Sequence, residues 1–373
     1  MTDCGATADR VASLVDSQLG NLLVVDGAAA DEVADAGLVL VDVSGGRPAD
    51  VGRAAALATR LRDATIPVVV LGGPLGREAR IALYRAGVLA CTSLEEDPEE
   101  LAARFASLAC VNRTAADALG RLREHSRHVN EELRLAQRLQ MDFLPRQLPA
   151  LGGSRFAARL EPAFWVAGDF YDVFRLDENH VGFYVADAVG HGVPAALLTV
   201  FVKRSLQTKR IDGHRYELIP PDESLALLNA DLLSAELQES PFITMVYGIY
   251  DVTARECVYA LAGHPKPLLL GPDGRSEALD ADGALLGIFH DAAFHAARRT
   301  FAPGQRLLLY TDGAERIQPG GQADPDRLLD LIRTSAALPA EPMLDAILEA
   351  VHAAAEGGPL ADDVTLVALD VGT

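Results

Sequence analysis

A chain of 373 residues, 49% of them hydrophobic, exceeds one comfortable core and is read as two domains joined by a connection. Its 33 Lys and Arg against 53 Asp and Glu leave a net charge of −20, which repels phosphate backbones and anionic lipid, disfavours nucleic-acid or membrane partners, and attracts divalent cations. Cys4, Cys91, Cys110 and Cys257 form no C-x-x-C pair, against a zinc site or a disulfide framework. MTDCGATADR lacks a leader pattern and no apolar run reaches membrane-spanning length, so a soluble cytoplasmic protein is expected.

Residues 1–97 alternate apolar runs, LLVVD at 22–26, LVLVD at 38–42 and PVVVL at 67–71, with Ala-rich amphipathic stretches. That alternation predicts an α/β domain, a parallel sheet flanked by helices. Asp26 and Asp42 each close a strand, where acidic side chains gather at the carboxyl edge of such a sheet. The segment resembles phospho-accepting receiver domains in degenerate form. Gly27 stands where a receiver carries a second acid, and TSLEEDP follows the last strand in place of a Lys-Pro pair. A receiver-like regulatory module is expected, with Asp42 as the candidate phospho-acceptor.

Over 98–145 the texture changes to PEELAARFASLACVNRTAADALGRLREHSRHVNEELRLAQRLQMDF, with no Pro after Pro98 and one Gly, Gly120. One long helix is expected over 99–143. Alternate steps of four and three pick out Leu101, Phe105, Leu108, Asn112, Ala115, Leu119, Leu122, Ser126, Val129, Leu133, Ala136, Gln140 and Phe143, a heptad seam. Asn112, Ser126 and Gln140 share one heptad position, where a polar group costs stability but sets register in a parallel dimer. The seam predicts a homodimeric coiled coil, against the plainer alternative of a helix packed on its own domains. Pro145 and Pro149 end it.

Residues 146–373 carry the strand signals FAARLEPAFWVAGD, HVGFYVAD, TMVYGIYDV, CVYALAG, PLLLGPDG, RLLLYTDG and DVTLVALDV, with helical stretches at 193–208, 222–238 and near 341–355. They predict an α+β domain, an antiparallel β-sandwich flanked by helices. Four strand runs end on or begin from aspartate: AGDFYD at 167–172, VADAVGHG at 185–192, YTDGAE at 310–315 and ADDVTL at 361–366. Each alone reads as a turn residue. Together, carboxylates without basic partners repel one another and raise each other's pKa unless a cation neutralises them. Oxygen donors, with no His or Cys at zinc spacing, favour magnesium or manganese. Two ions sharing Asp187, about 3.5–4 Å apart, would activate a bridging water for in-line attack on phosphorus. Gly190 and Gly192 allow the close approach and Pro194 suits the first helical turn, so Asp187 is expected to face a metal and the Ala188 carbonyl to ligate it.

AGDFYD, DAVGHG, TDG and DDVT, in this order and spacing, resemble the metal-dependent protein serine/threonine phosphatases of the protein phosphatase 2C type, and most of all their bacterial SpoIIE/RsbU branch. RLAQRLQMDFLPRQLP, PFITMVYGIYD, AGHPKPLLL, LLGIF and PGQRLLLYTDG extend the likeness over nearly all of 155–373. The resemblance implies a protein phosphatase holding two Mn2+ or Mg2+ ions. Asp187 would bridge them with the Ala188 carbonyl as a further ligand. Asp312 and Asp362 would hold one ion, with Asp363 beside them. Asp169 and Asp172 would orient ligand waters or an additional ion. His191 would either protonate the leaving seryl oxygen or serve as a turn residue. Thr365, which alternates with Val364 and Leu366, reads as structural. The implied substrate is a phosphorylated anti-sigma-factor antagonist in a partner-switching pathway, with the N-terminal module controlling the enzyme through the helix and a hinge at 143–151.

Ala167 stands where that family usually has Gly, and Ala188-Val189 replaces a more usual pair, yet the carboxylates are intact and activity is expected. No arginine adjoins the motifs as a phosphate clamp, so the metals are expected to carry most of the charge stabilisation. A diguanylate cyclase reading fails because Phe170 and Tyr171 follow Asp169. A non-catalytic partner-binding pseudophosphatase, or a dimeric scaffold, would predict lost ligands.

Overall fold

The computed structural model describes residues 22–25, 38–43, 47–61, 66–93, 95–190, 192–213, 215–237 and 241–372. Asp26 and His191 lie outside them. By its contacts the chain divides into two units, 1–128 and 129–373. Among the described residues no helix is long and apolar enough to cross a membrane.

In the first unit, strands β1 (Leu22–Val25), β2 (Leu38–Asp42), β3 (Val68–Gly72) and β4 (Ala90–Ser93) pair in parallel in that order. Helices α1 (Pro48–Leu61) and α2 (Arg77–Ala86) alternate with them. Val39, Val41, Val68 and Val70 pack one sheet face against Ala54, Leu57 and Leu83 of these helices. Leu38, Leu40, Val69 and Leu71 pack the other face against Leu101, Ala102 and Phe105, which open helix α3 (Pro98–Phe143). Burial on both faces explains why these strands read as unbroken apolar runs. The expected parallel α/β sheet is present, with Asp42 at the carboxyl end of β2.

The helix α3 runs unbroken over the expected stretch. Its seam divides into three parts. Leu101 and Phe105 are spent on the first sheet, while Ala115, Leu119, Leu122, Ser126 and Val129 are exposed. Gln140, expected in a dimer seam, is instead buried within its own unit at 3% exposure.

The second unit contains β5 (Ala150–Leu151), β6 (Ser154–Glu161), β7 (Asp169–Arg175), β8 (His180–Ala188), α4 (Val193–Ser205), β9 (Lys209–Asp212), β10 (Arg215–Leu218) and α5 (Pro221–Ser234). After them come β11 (Ile243–Asp251), β12 (Glu256–Ala262), β13 (Leu268–Leu270), β14 (Ser276–Ala278), β15 (Ala297–Thr300) and β16 (Arg306–Tyr310). A single 3-10 turn at Asp312–Glu315, α6 (Pro325–Ser335), α7 (Ala340–Ala354) and β17 (Val364–Asp370) complete it. Two large antiparallel sheets result, ordered β15-β12-β11-β8-β7 and β14-β13-β16-β17-β6-β5, beside the two-stranded β9–β10 pair.

Val181, Phe183, Val185, Val246 and Tyr250 from the first sheet meet Leu307, Leu309, Val367 and Leu369 from the second. The outer face of the five-stranded sheet is covered by α4 and α5 through Leu198, Val202, Leu225 and Leu228. That of the six-stranded sheet is covered by α6 and α7 through Leu328, Ile332, Met343 and Ile347. This is the expected helix-flanked sandwich, with two departures in detail. The helix expected to 208 ends at Ser205, and the chain turns at Gly213, φ +58°, into the β9–β10 hairpin. Helix α6 was outside the expected helical stretches, although its start is marked in the sequence. Asp324 caps the Arg327 amide and Pro325 occupies the first turn.

Candidate active site

Strand alternation brings the aspartate motifs to one end of the sandwich. On β8 the inward set Val181, Phe183, Val185 continues to Asp187, and on β7 Tyr171 and Val173 place Asp169 on the same inner face. Pairing sets Asp169 opposite Asp187, and Asp187 opposite Thr244. From the facing sheet, Leu307 and Leu309 lead to Thr311, and Val367 and Leu369 share a face with Thr365. The Thr311 hydroxyl donates to Asp169 Oδ2 at 2.7 Å and accepts the Thr365 N–H at 2.9 Å. Thr365 thus supports the site directly, beyond the structural reading of its alternation.

Two glycines permit the approach of the loops. A Cβ at Gly168 would lie 2.8 Å from the Ala188 carbonyl oxygen and 2.9 Å from that of Gly190. One at Gly313 would lie 1.9 Å from the Asp363 carbonyl oxygen, so only glycine lets the Asp312 turn seat against the 362–363 loop.

Burial, then Asp312, Asp362 and Asp363, push the Asp187 carboxyl up to about 7. Burial, then Asp187, raise Asp169 well above the carboxylate range, and the Thr311 hydroxyl offsets part of this. Asp312 is raised by burial first and Asp362 second. Such mutual elevation is what an uncompensated cation site produces. Among the described residues no three His, Cys, Asp or Glu side chains close into a ready cage. A magnesium-type ion needs none, since it binds through one or two carboxylates and keeps several waters. Asp187, the Ala188 carbonyl, Asp312 and Asp362 fit that donor set.

The other expected site residues are placed differently. Asp363 is buried and spends both oxygens on backbone, accepting Ala163 N–H at 2.7 Å and Gly168 N–H at 2.6 Å. It ties the 163–168 loop in place. Asp172, three residues from Asp169, emerges on the opposite face of β7 and pairs with Lys203 of α4 at 2.8 Å. The period of two residues already separated these carboxylates, and Asp172 does not join the cluster.

Four residues near the site are not singled out by the sequence motifs. Gln140 clamps Ala167 from both sides: its Nε2 donates to the Ala167 carbonyl at 2.7 Å and its Oε1 accepts the Ala167 N–H at 3.0 Å. This fastens the end of α3 two residues from Asp169. Arg134, six residues earlier on the same helix, stacks over Trp165 at 5.0 Å. His264, within AGHPKP, is buried beside Thr244, with Nδ1 2.9 Å from the Thr244 hydroxyl, and burial pushes it down to about 3, so it is a neutral imidazole. Arg316, four residues past Asp312, reaches Asp362 and corrects the expectation that no arginine adjoins the motifs. YTDGAER contained that signal.

The second unit has the fold of a protein phosphatase 2C domain. It superposes on the SiaA-PP2C domain of Pseudomonas aeruginosa with a TM-score of 0.56, covering 66% of this chain and 98% of that one at 23% identity. The family described as Stage II sporulation protein E (SpoIIE) matches residues 177–372, and the chain belongs to that family. Similar proteins include phosphoserine phosphatase RsbU of Bacillus subtilis (strain 168), 28% identical over 66% of this chain and 72% of that protein. Phosphoserine phosphatase RsbP of the same organism is 25% identical over 65% of this chain and 59% of its own length. Protein IcfG of Synechocystis sp. is 25% identical over 64% of this chain. The match spans 41% of the length of IcfG and 59% of that of RsbP.

Between about pH 4 and pH 7 the metal-free native state holds an Asp187 proton that the unfolded chain has lost, so this group withdraws stability as pH rises through that window. Cation binding expels the proton. Mn2+ affinity measured by calorimetry should therefore rise with pH up to about 7 and level off above it, and a flat profile would contradict a site built on Asp187. Gln140→Ala strands two backbone groups at a cost of roughly 1–3 kcal/mol each. The expected result is a higher Mn2+ requirement for half-maximal turnover with native helix content; unchanged metal activation would mean that the clamp does not support the site.

Proposed function

We propose that the chain is a metal-dependent phosphoserine/phosphothreonine protein phosphatase acting on a phosphorylated anti-sigma-factor antagonist in a partner-switching pathway. The observation that carries the reading is the convergence of Asp187 and Asp312, both with raised proton affinities, on Asp362 at one end of a phosphatase 2C sandwich. The likeness to the phosphoserine phosphatases RsbU and RsbP supports the phosphoserine chemistry.

A pair of Mn2+ or Mg2+ ions would supply positive charge and an activated water for attack on phosphorus. The protein's part is orientation. Asp187, the Ala188 carbonyl, Asp312 and Asp362 would hold the ions. Thr311 and Thr365 keep Asp169 inward, and Asp363 holds Gly168 close to the Ala188 carbonyl. The packed apolar layer of Val185, Val246, Leu309 and Val367 supports the site from beneath. His191 is given no step.

Regulation would run through α3. Gln140, Arg134 and the Phe143 carbonyl, which accepts from Lys203, fasten its last turns to the phosphatase unit, so a rotation of this helix would bear on the Ala167–Asp169 backbone. The exposed seam residues Ala115, Leu119, Leu122, Ser126 and Val129 would pair with a second copy as a parallel coiled coil, with the receiver-like module as its control and Asp42 as candidate acceptor.

Hydrolysis of a generic phosphate ester by the full chain should require Mn2+ and be abolished in Asp187→Asn. Metal-dependent turnover that survives this substitution would refute the assignment. Sedimentation equilibrium should give twice the chain mass, falling to one when Leu119 and Leu122 are replaced by Glu; a monomeric wild type would remove the dimer.

A further inference from the structure

We propose that Arg316 is the phosphate-binding residue of this site, its guanidinium donating to the phosphoryl oxygens once Asp362 is engaged by a cation. The proposal rests on the phosphatase reading and deepens it.

Three observations lead there. First, Arg316 is built into the site. It follows directly on the turn that presents Asp312, and its N–H donates to the Gly313 carbonyl at 3.1 Å, the glycine that seats against Asp363. A residue so anchored moves with the ligands. Second, its pairing is loose. Nη2 lies 3.4 Å from Asp362 Oδ2, longer than a charge-assisted hydrogen bond, which spans about 2.7–2.9 Å. Nε is buried with no hydrogen-bond partner among the described residues. A guanidinium carries five N–H donors, and this one has committed little of that capacity. Third, about a third of the side chain (34%) is open to solvent while its Nη2 lies beside Asp362, so the residue is not sealed away from an incoming ligand.

The charge balance gives the reason. Asp187, Asp312 and Asp362 together repel a phosphate ester, and two divalent ions reverse that sign. Ions fix charge but not the orientation of a tetrahedral group. A planar fork that meets two phosphoryl oxygens side by side does, which is where arginine differs from a point charge. When Asp362 binds a cation its charge is taken up and its hold on Arg316 weakens. The arginine is then a counter-ion of the empty site and a substrate clamp of the loaded one. The plainer alternative is a residue that only orients Asp362.

Calorimetry on the full chain separates the two. Mn2+ is titrated first, and inorganic phosphate is then titrated into the Mn2+-saturated protein. Expected for Arg316→Gln is Mn2+ affinity within about threefold of wild type and phosphate affinity weakened roughly tenfold or more. Arg316→Lys, which keeps the charge and loses the fork, should fall between. Phosphate affinity unchanged in both variants would overturn the proposal, as would Mn2+ affinity falling in Arg316→Gln while phosphate binding to the saturated protein stays intact. A wild type that binds neither Mn2+ nor phosphate would overturn the phosphatase reading itself, and the proposal with it.

Discussion

Mutual repulsion among inward-facing carboxylates is the constraint around which the second unit is arranged. Asp169 and Asp187 face each other across paired strands, and Asp312 and Asp362 approach from loops of the facing sheet. Placed in the apolar space between sheets, such charges would be expelled or protonated. They persist because they crown the sandwich at its open end, where the last inward positions before the loops are polar. Below them the same strands supply Val185, Val246, Leu309 and Val367, and this packed layer holds the crown rigid.

Around the cluster, groups divide into those that would touch a cation and those that hold others in place. Thr311, Thr365 and Asp363 spend their hydrogen bonds on Asp169 and on the Ala163–Gly168 backbone. Buried His264 serves as a neutral partner for Thr244, the neighbour of Asp187 across the strand pair. Gln140 extends this support to α3, so the helix that leads into the domain also holds part of its site. The hydrogen bonds that Asp363 and Gln140 make to backbone leave those buried side chains satisfied, which keeps the cost of this support low.

The length of the helix, the positions of the main strands and the four aspartate motifs are legible in the sequence because each depends on local periodicity. An unbroken 3.6-residue pattern without proline specifies α3 whatever it packs against. Apolar runs closing on aspartate specify strand ends. Taking AGDFYD as one motif groups Asp172 with Asp169, whereas an odd separation on a strand puts the two carboxylates on opposite faces and leaves Asp172 paired with Lys203. Gln140 was read for its heptad position, and burial against Ala167 outweighed that periodicity.

What the sequence by itself determined is the set of elements, the acidic donor types and the family they resemble, since these are properties of neighbouring residues. Only the tertiary structure decided which acids share a face, which are spent on backbone, and which distant partners meet: Thr311 with Asp169, Gln140 with Ala167, Arg316 with Asp362. These pairs lie far apart in the chain or in separate turns. Their contacts arise from the stacking of two sheets and the seating of loops on glycine, and no local pattern encodes that geometry.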